Sequence, residues 1–232
     1  MSDYDSILIE RQGRVASVSF NRPDKLNSFN GTMRREFVRA AQEVNADNDI
    51  WVVVLTGEGR AFGAGADLSD TSEPMPNDGE GVEDQLNAEY KPGVLAIHHA
   101  RKPWIAAVNG PCAGISYSYA MACDLMVMAK SSYLFQPFVG IGLVPDGGAT
   151  WLLPNFVGAK RAFELMAFGE KLGAEKAVEW GLANRVLPDD DFSAQAMSFA
   201  QELANRSPLG LRYTKESLAF AASHNLADTI SK

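Results

Sequence analysis

Apolar positions in this chain follow two periods that alternate along its length. Ile7-Leu8-Ile9 and Val15-Ala16-Ser17-Val18-Ser19-Phe20 flank Gln12-Gly13 and predict two strands around a turn. Asn21-Arg22-Pro23-Asp24 breaks that pattern. Beyond it Phe29, Met33, Phe37, Ala41 and Val44 recur at helical spacing, with Arg34, Arg35 and Glu36 between them, and Asn30 is placed to cap the helix. Trp51-Val52-Val53-Val54-Leu55-Thr56 is a continuous apolar run. It lacks alternation, so both of its faces are expected to be covered, as in a parallel or mixed sheet under helices.

The same reasoning predicts strands at Trp104–Val108 and Leu125–Met128, and helices over 86–100, 114–122, 159–168, 173–180, 192–205 and 208–222. His98 and His99 fall at the end of the 86–100 helix, where cations suit the dipole. Residues 69–84 hold six acids, two prolines, two glycines and no basic residue, and read as an exposed loop. The alternation of strands and helices predicts an α/β core with a helical C-terminal part.

Composition narrows the function. The 232 residues carry 21 Lys and Arg against 29 Asp and Glu, a formal charge of −8, and 46% are hydrophobic. That disfavours a disordered chain and a nucleic-acid partner. No apolar run approaches the roughly 18 residues of a membrane span, so no membrane partner is expected. The N-terminus, Met1-Ser2-Asp3-Tyr4-Asp5, is acidic and polar, unlike a secretory signal. Cys112 and Cys123 form no disulfide framework or zinc pattern and are expected to be small apolar fillers. The expectation is a cytoplasmic protein with no metal.

Familiar catalytic patterns fit poorly. Gly57, Gly59 and Gly63 give G-x-G-x-x-x-G rather than the dinucleotide spacing. Gly114-Ile115-Ser116-Tyr117-Ser118 lacks the last glycine of a nucleophile elbow. More informative are two small-residue loops, each following a buried strand: Ala64-Gly65-Ala66-Asp67 and Asn109-Gly110-Pro111-Cys112-Ala113-Gly114-Ile115. Small residues let a ligand approach backbone N–H groups, and a helix N-terminus leaves such groups unpaired. Two converging donors would make an oxyanion hole; the alternative is a pair of tight turns packing helix on sheet.

These residues resemble the crotonase, or enoyl-CoA hydratase/isomerase, family. The resemblance lies in Asn21–Phe29, Leu55-Thr56-Gly57 through Asp67-Leu68, Lys102–Gly110, Gln136-Pro137, Gly142–Gly148 and Ala177–Leu182, in the family's order over about residues 5–215. It implies an α/β fold, a crotonase-type spiral of ββα units over 1–190. A helical C-terminal trimerisation region follows over 191–232, shorter than is usual in the family. It implies a coenzyme A thioester as substrate, with CoA part of that substrate rather than a cofactor, and a homotrimer or dimer of trimers. By motif position the oxyanion donors are the N–H groups of Ala66 and Ile115. Lys25, Leu26, Ala64, Asp67, Leu68 and Gly114 map to CoA contacts.

Hydratases of the family carry two glutamates, at positions held here by Ser118 and Phe138. The remaining acid is Asp146, in Val144-Pro145-Asp146-Gly147-Gly148, where the family's Δ3,Δ2-enoyl-CoA isomerases and phenylacetate-pathway ring isomerases carry theirs. The resemblance therefore implies an isomerase in which Asp146 moves a proton between C2 and C4. Alternatives are a hydratase or another reaction of the family, with Asp146 activating water or acting as nucleophile, or a non-catalytic acyl-CoA-binding protein. Asp146 also fits a plain turn. Ser118, Phe138 and Trp151 are expected at the acyl pocket, with core packing open for Trp151 and for Tyr117 and Tyr119. Asp67 caps a helix starting near Leu68 or shapes its loop.

Overall fold

The computed structural model describes residues 4–71, 76 and 78–232. Strands β1 (Ile7–Gln12) and β2 (Val15–Phe20) pair antiparallel. β3 (Val52–Gly57), β4 (Trp104–Val108), β6 (Leu125–Ala129) and β9 (Arg185–Leu187) then add in parallel, giving the order β1-β2-β3-β4-β6-β9. The strands that pair in this sheet follow chain order, which is what a spiral produces. β5 (Cys112–Ala113), β7 (Tyr133–Phe135) and β8 (Leu172–Gly173) make a small second sheet.

The non-alternating strands are covered on both faces, as their pattern required. Val53, Leu55, Trp104, Ala106 and Val108 point into a large core under helices α1 (Gly31–Ala46), α3 (Lys91–His98) and α4 (Ile115–Ala122). Val52, Val54, Ile105, Ala107 and Val127 point the other way, onto Phe192, Ala196, Ala200 and Ala204 of α8 (Phe192–Ala204). Small residues on α8 let helix and sheet approach closely. In the larger core, Phe20 stands edge-on to Phe29, Phe37 and Phe62 at 4.8, 5.2 and 5.4 Å, and Tyr119 packs on Phe37 at 4.6 Å. The predicted cap of α1 forms: Met33 N–H donates to Asn30 Oδ1 at 3.0 Å.

The structure departs from the sequence pattern in several stretches, the unpredicted strands β7 and β9 among them. Of 69–84, read as a loop, residues 79–84 belong to helix α2 (Gly79–Gln85), capped by Asp78, which accepts from Gly81 N–H at 2.8 Å. Gly79 and Gly81 masked it; residues 72–75 and 77 lie outside the described residues. A π-helical turn, Leu86–Tyr90, links α2 to α3. Helix α5 (Ala149–Val157) was hidden by Pro154 in its interior. After α6 (Ala159–Phe168) and α7 (Ala174–Glu179), α9 (Pro208–Ala221) and α10 (Leu226–Ile230) close the chain. α9 buries no residue fully, but Lys215 anchors it, donating to Asp124 Oδ2 at 2.8 Å and Ile97 O at 3.2 Å. Among the described residues no helix is long and apolar enough to cross a membrane.

Phe20→Ala should destabilise the protein by about 3–5 kcal/mol in urea unfolding, because a wholly buried ring at the centre of four aromatic contacts is lost.

Candidate active site

The first small-residue loop is held from below by the turn at residues 22–28. Leu26 and Asn27 both have positive φ, 52° and 55°. Asn27 is wholly buried and stabilises that turn: its Oδ1 accepts from Arg22 N–H at 2.8 Å, and its Nδ2 donates to Glu58 O and Ala61 O at 2.9 and 2.7 Å. Ala64 N–H donates to Leu26 O at 2.9 Å, joining the turn to the loop. Lys25, Ala64, Ala66 and Leu68 are exposed along this stretch, while Leu26 and Asp67 are half-buried.

Ala66 is oriented by a parallel bridge to Phe29. Phe29 N–H donates to Gly65 O at 2.8 Å, and Asp67 N–H to Phe29 O at 3.0 Å. Bonding through residues on either side turns the N–H of Ala66 away from Phe29. Asp67 shapes this loop rather than capping a helix, since residues 68 and 69 form a turn. Its carboxylate accepts from Ser69 N–H and Oγ at 3.1 and 2.7 Å and pairs with Arg22 at 3.0 Å. Burial would raise its pKa, but the Ser69 hydrogen bonds and the Arg22 guanidinium outweigh that and hold it below the usual carboxylate range.

The second loop enters α4 through Gly114, buried at φ +56°. Gly114 O accepts from Tyr117 and Ser118 N–H at 3.0 and 3.4 Å, and the N–H of Ile115 is among the first-turn donors a helix leaves unpaired. The two loops touch. A Cβ on Gly65 would lie 3.2 Å from Ala113 O and 3.5 Å from Gly114 Cα.

Asp146 is delivered to the same helix. Gly147, at φ +58°, packs so tightly on α4 that a Cβ there would come 2.3 Å from Ile115 Cδ1 and 2.9 Å from Ser118 Cβ. Ser118, wholly buried, donates from Oγ to the Asp146 backbone oxygen at 3.2 Å. The serine standing where hydratases carry a glutamate therefore fastens the acid-bearing loop. Burial pushes the Asp146 carboxyl up to about 6, against a smaller opposing pull from its own backbone N–H. Its Oδ1 is buried without a hydrogen-bond partner. Phe138, buried, lies beside Gly114, with its ring 3.8 Å from where a Cβ would stand.

Other expectations resolve differently. Trp151 is 59% exposed, so its core reading is overturned; its ring stands edge-on to His98 at 5.8 Å. With Leu152, Phe156, Leu211 and Leu218 it borders an apolar groove of about 830 Å³ between α5 and α9. Tyr117 and Tyr119 are core residues. Cys112 and Cys123 are buried free thiols. Sequence reasoning missed Tyr90, buried on the π-helical turn. Burial raises its pKa to about 12 despite the adjacent Arg34, and Asp146 adds to the shift. Arg34 itself pairs with Glu89. The nearest signal in the sequence was the pair Glu89-Tyr90 in a stretch read as an ordinary helix. No group of three or more potential metal ligands occurs among the described residues.

The family model described as "Enoyl-CoA hydratase/isomerase" matches residues 10–232. The chain belongs to the enoyl-CoA hydratase/isomerase family. It is 36% identical to 1,2-epoxyphenylacetyl-CoA isomerase of Escherichia coli (strain K12), over 95% of this chain and 84% of the relative. It is 39% identical to a probable enoyl-CoA hydratase of Rhodobacter capsulatus, over 94% of this chain and 79% of the relative. The fold resembles a monofunctional enoyl CoA isomerase from M. smegmatis, with TM-score 0.81 and 30% identity over 98% of this chain and 99% of that one. The spiral is thus that of the hydratase/isomerase family, and the chain is an enzyme of it.

A carboxyl raised by burial binds protons more readily in the folded than in the unfolded protein. Its contribution to stability is favourable at low pH and lost as pH rises through about 6. Asp146→Asn removes that loss. Above pH 7 the variant should be more stable by about 1–2 kcal/mol, and near pH 4 indistinguishable from wild type, in urea melts at both pH values.

Proposed function

We propose that this hydratase/isomerase-family enzyme acts on an unsaturated acyl-CoA and moves its double bond from C3–C4 to C2–C3. The observation that carries this reading is the half-buried carboxyl of Asp146, its Oδ1 buried without a partner and its loop fastened to α4 beside Ile115, with serine and phenylalanine at the two positions where hydratases carry glutamates. The resemblance to a protein named as a monofunctional enoyl CoA isomerase supports it.

The chemistry follows from these groups. The N–H groups of Ala66 and Ile115 hold the thioester oxygen and stabilise the negative charge that develops there. One such donor typically contributes about 3–4 kcal/mol to the transition state. Asp146, as carboxylate, takes a proton from C2; the electron pair spreads over the dienolate; the same carboxyl then delivers the proton to C4. The double bond is then conjugated with the thioester. One acid suffices, and no water is consumed. Ile115 and Phe138 make the surroundings apolar, which raises the basicity of Asp146 and keeps water from adding across the product. Lys25, Leu26, Ala64, Asp67, Leu68 and Gly114, close to the first loop or at the second, contact the CoA part, which belongs to the substrate.

A 3-enoyl-CoA incubated with the enzyme in deuterated water should become conjugated, seen by ultraviolet absorbance, without a hydrated product. It should take up less than one deuterium per turnover by mass spectrometry, because the carboxyl that accepts the C2 proton is the one that returns it to C4. Asp146→Asn should lower kcat at least about 1,000-fold. A 3-hydroxyacyl-CoA as main product, or full activity in the variant, would overturn the reading. The pH profile gives a second check. Because the carboxylate is the working form, kcat/KM should rise with pH through about 6 and level off above it.

A further inference from the structure

The two loops are tied together by one side chain. The backbone N–H of Gly65, the residue before Ala66, donates to Ser116 Oγ at 3.3 Å, and Ser116 follows Ile115 directly. A single hydroxyl thus spans the gap one residue from each proposed oxyanion donor. Ser116 is wholly buried, so water does not compete for this bond. The backbone leaves room for it: a Cβ on Gly63 would lie 2.3 Å from Ser116 Oγ. Upstream the loops pair backbone to backbone, with Ala113 N–H donating to Gly63 O at 2.8 Å. Past Gly63, Ser116 carries the connection.

We propose that Ser116 is a positioning residue whose hydroxyl sets the separation and direction of the Ala66 and Ile115 N–H groups. The proposal rests on the reading of those two groups as the oxyanion hole. Ser116 does not touch the substrate. Without its oxygen the buried Gly65 N–H has no acceptor, a costly state that the loop relieves by shifting. The shift carries the next peptide, and with it the Ala66 donor, away from the place where the oxygen charge develops. Misplacement of this kind, by as little as about 1 Å, lowers rates by up to roughly a hundredfold.

The test uses a 2,4-dienoyl-CoA, whose absorbance moves to longer wavelength when its thioester oxygen is polarised. Saturated wild-type enzyme should produce that red shift. In Ser116→Ala the shift should fall to less than about half and kcat by about ten- to a hundredfold, with KM changed less than about threefold. Those results support the assignment, because loss of stability alone would not move the spectrum of bound ligand. A full red shift with unchanged kcat in Ser116→Ala overturns the role of Ser116 and leaves the oxyanion reading standing. No red shift in wild type overturns the oxyanion reading, and the role of Ser116 with it. Circular dichroism melts accompany each variant. Should Ser116→Ala fail to fold, Ser116→Cys keeps the size of the side chain with a much weaker acceptor, and is held to a loss of red shift and of kcat in the same direction.

Discussion

The site depends on the first turn of α4. Four consecutive residues there reach three parts of the molecule: the first loop, the core and the loop that carries Asp146. Ile115 offers an unpaired N–H and sets its side chain against Gly147. Ser116 reaches back to the first loop. Tyr117 goes into the core, and Ser118 fastens the loop that carries Asp146. A helix places successive side chains about 100° apart, so one turn can address loop, core and acid at once. The N-terminal end is also where the helix dipole favours negative charge, which suits an enolate oxygen.

Glycine makes these contacts possible in two different ways. At Gly63 it supplies the space into which Ser116 Oγ fits. At Gly147 it supplies a positive φ as well as a surface flat enough to lie on Ile115 and Ser118. The acid is thereby pressed into apolar surroundings that raise its pKa to about 6. Burial costs the folded protein stability at neutral pH and makes the carboxylate more basic. The same desolvation accounts for both effects.

The sheet provides the rigidity on which this arrangement rests. With α8 on one face and α1, α3 and α4 on the other, its inner strands β2, β3, β4 and β6 are buried, and both small-residue loops leave the ends of adjacent parallel strands, β3 and β4. Ligand sites at the strand ends of parallel sheets recur for this reason: neighbouring loops there emerge side by side.

The sequence by itself determined the larger plan. Non-alternating runs at Val52–Leu55 and Trp104–Val108 can be stable only with both faces covered, and the period of Met33, Phe37, Ala41 and Val44 admits only a helix with one buried stripe. The ordered motifs around Asn21–Phe29, Leu55–Leu68 and Lys102–Gly110 were enough for family membership, and they singled out Ala66, Ile115 and Asp146 as candidates. What the sequence did not hold was whatever depends on contact between distant segments. That Ser118 grips the Asp146 loop, that Ser116 reaches Gly65, that Trp151 lies on His98 outside the core and that Asp67 pairs with Arg22 all follow from which surfaces meet. Local pattern records how often a side chain faces inward; which neighbour it finds there is set only when the helices have packed on the sheet.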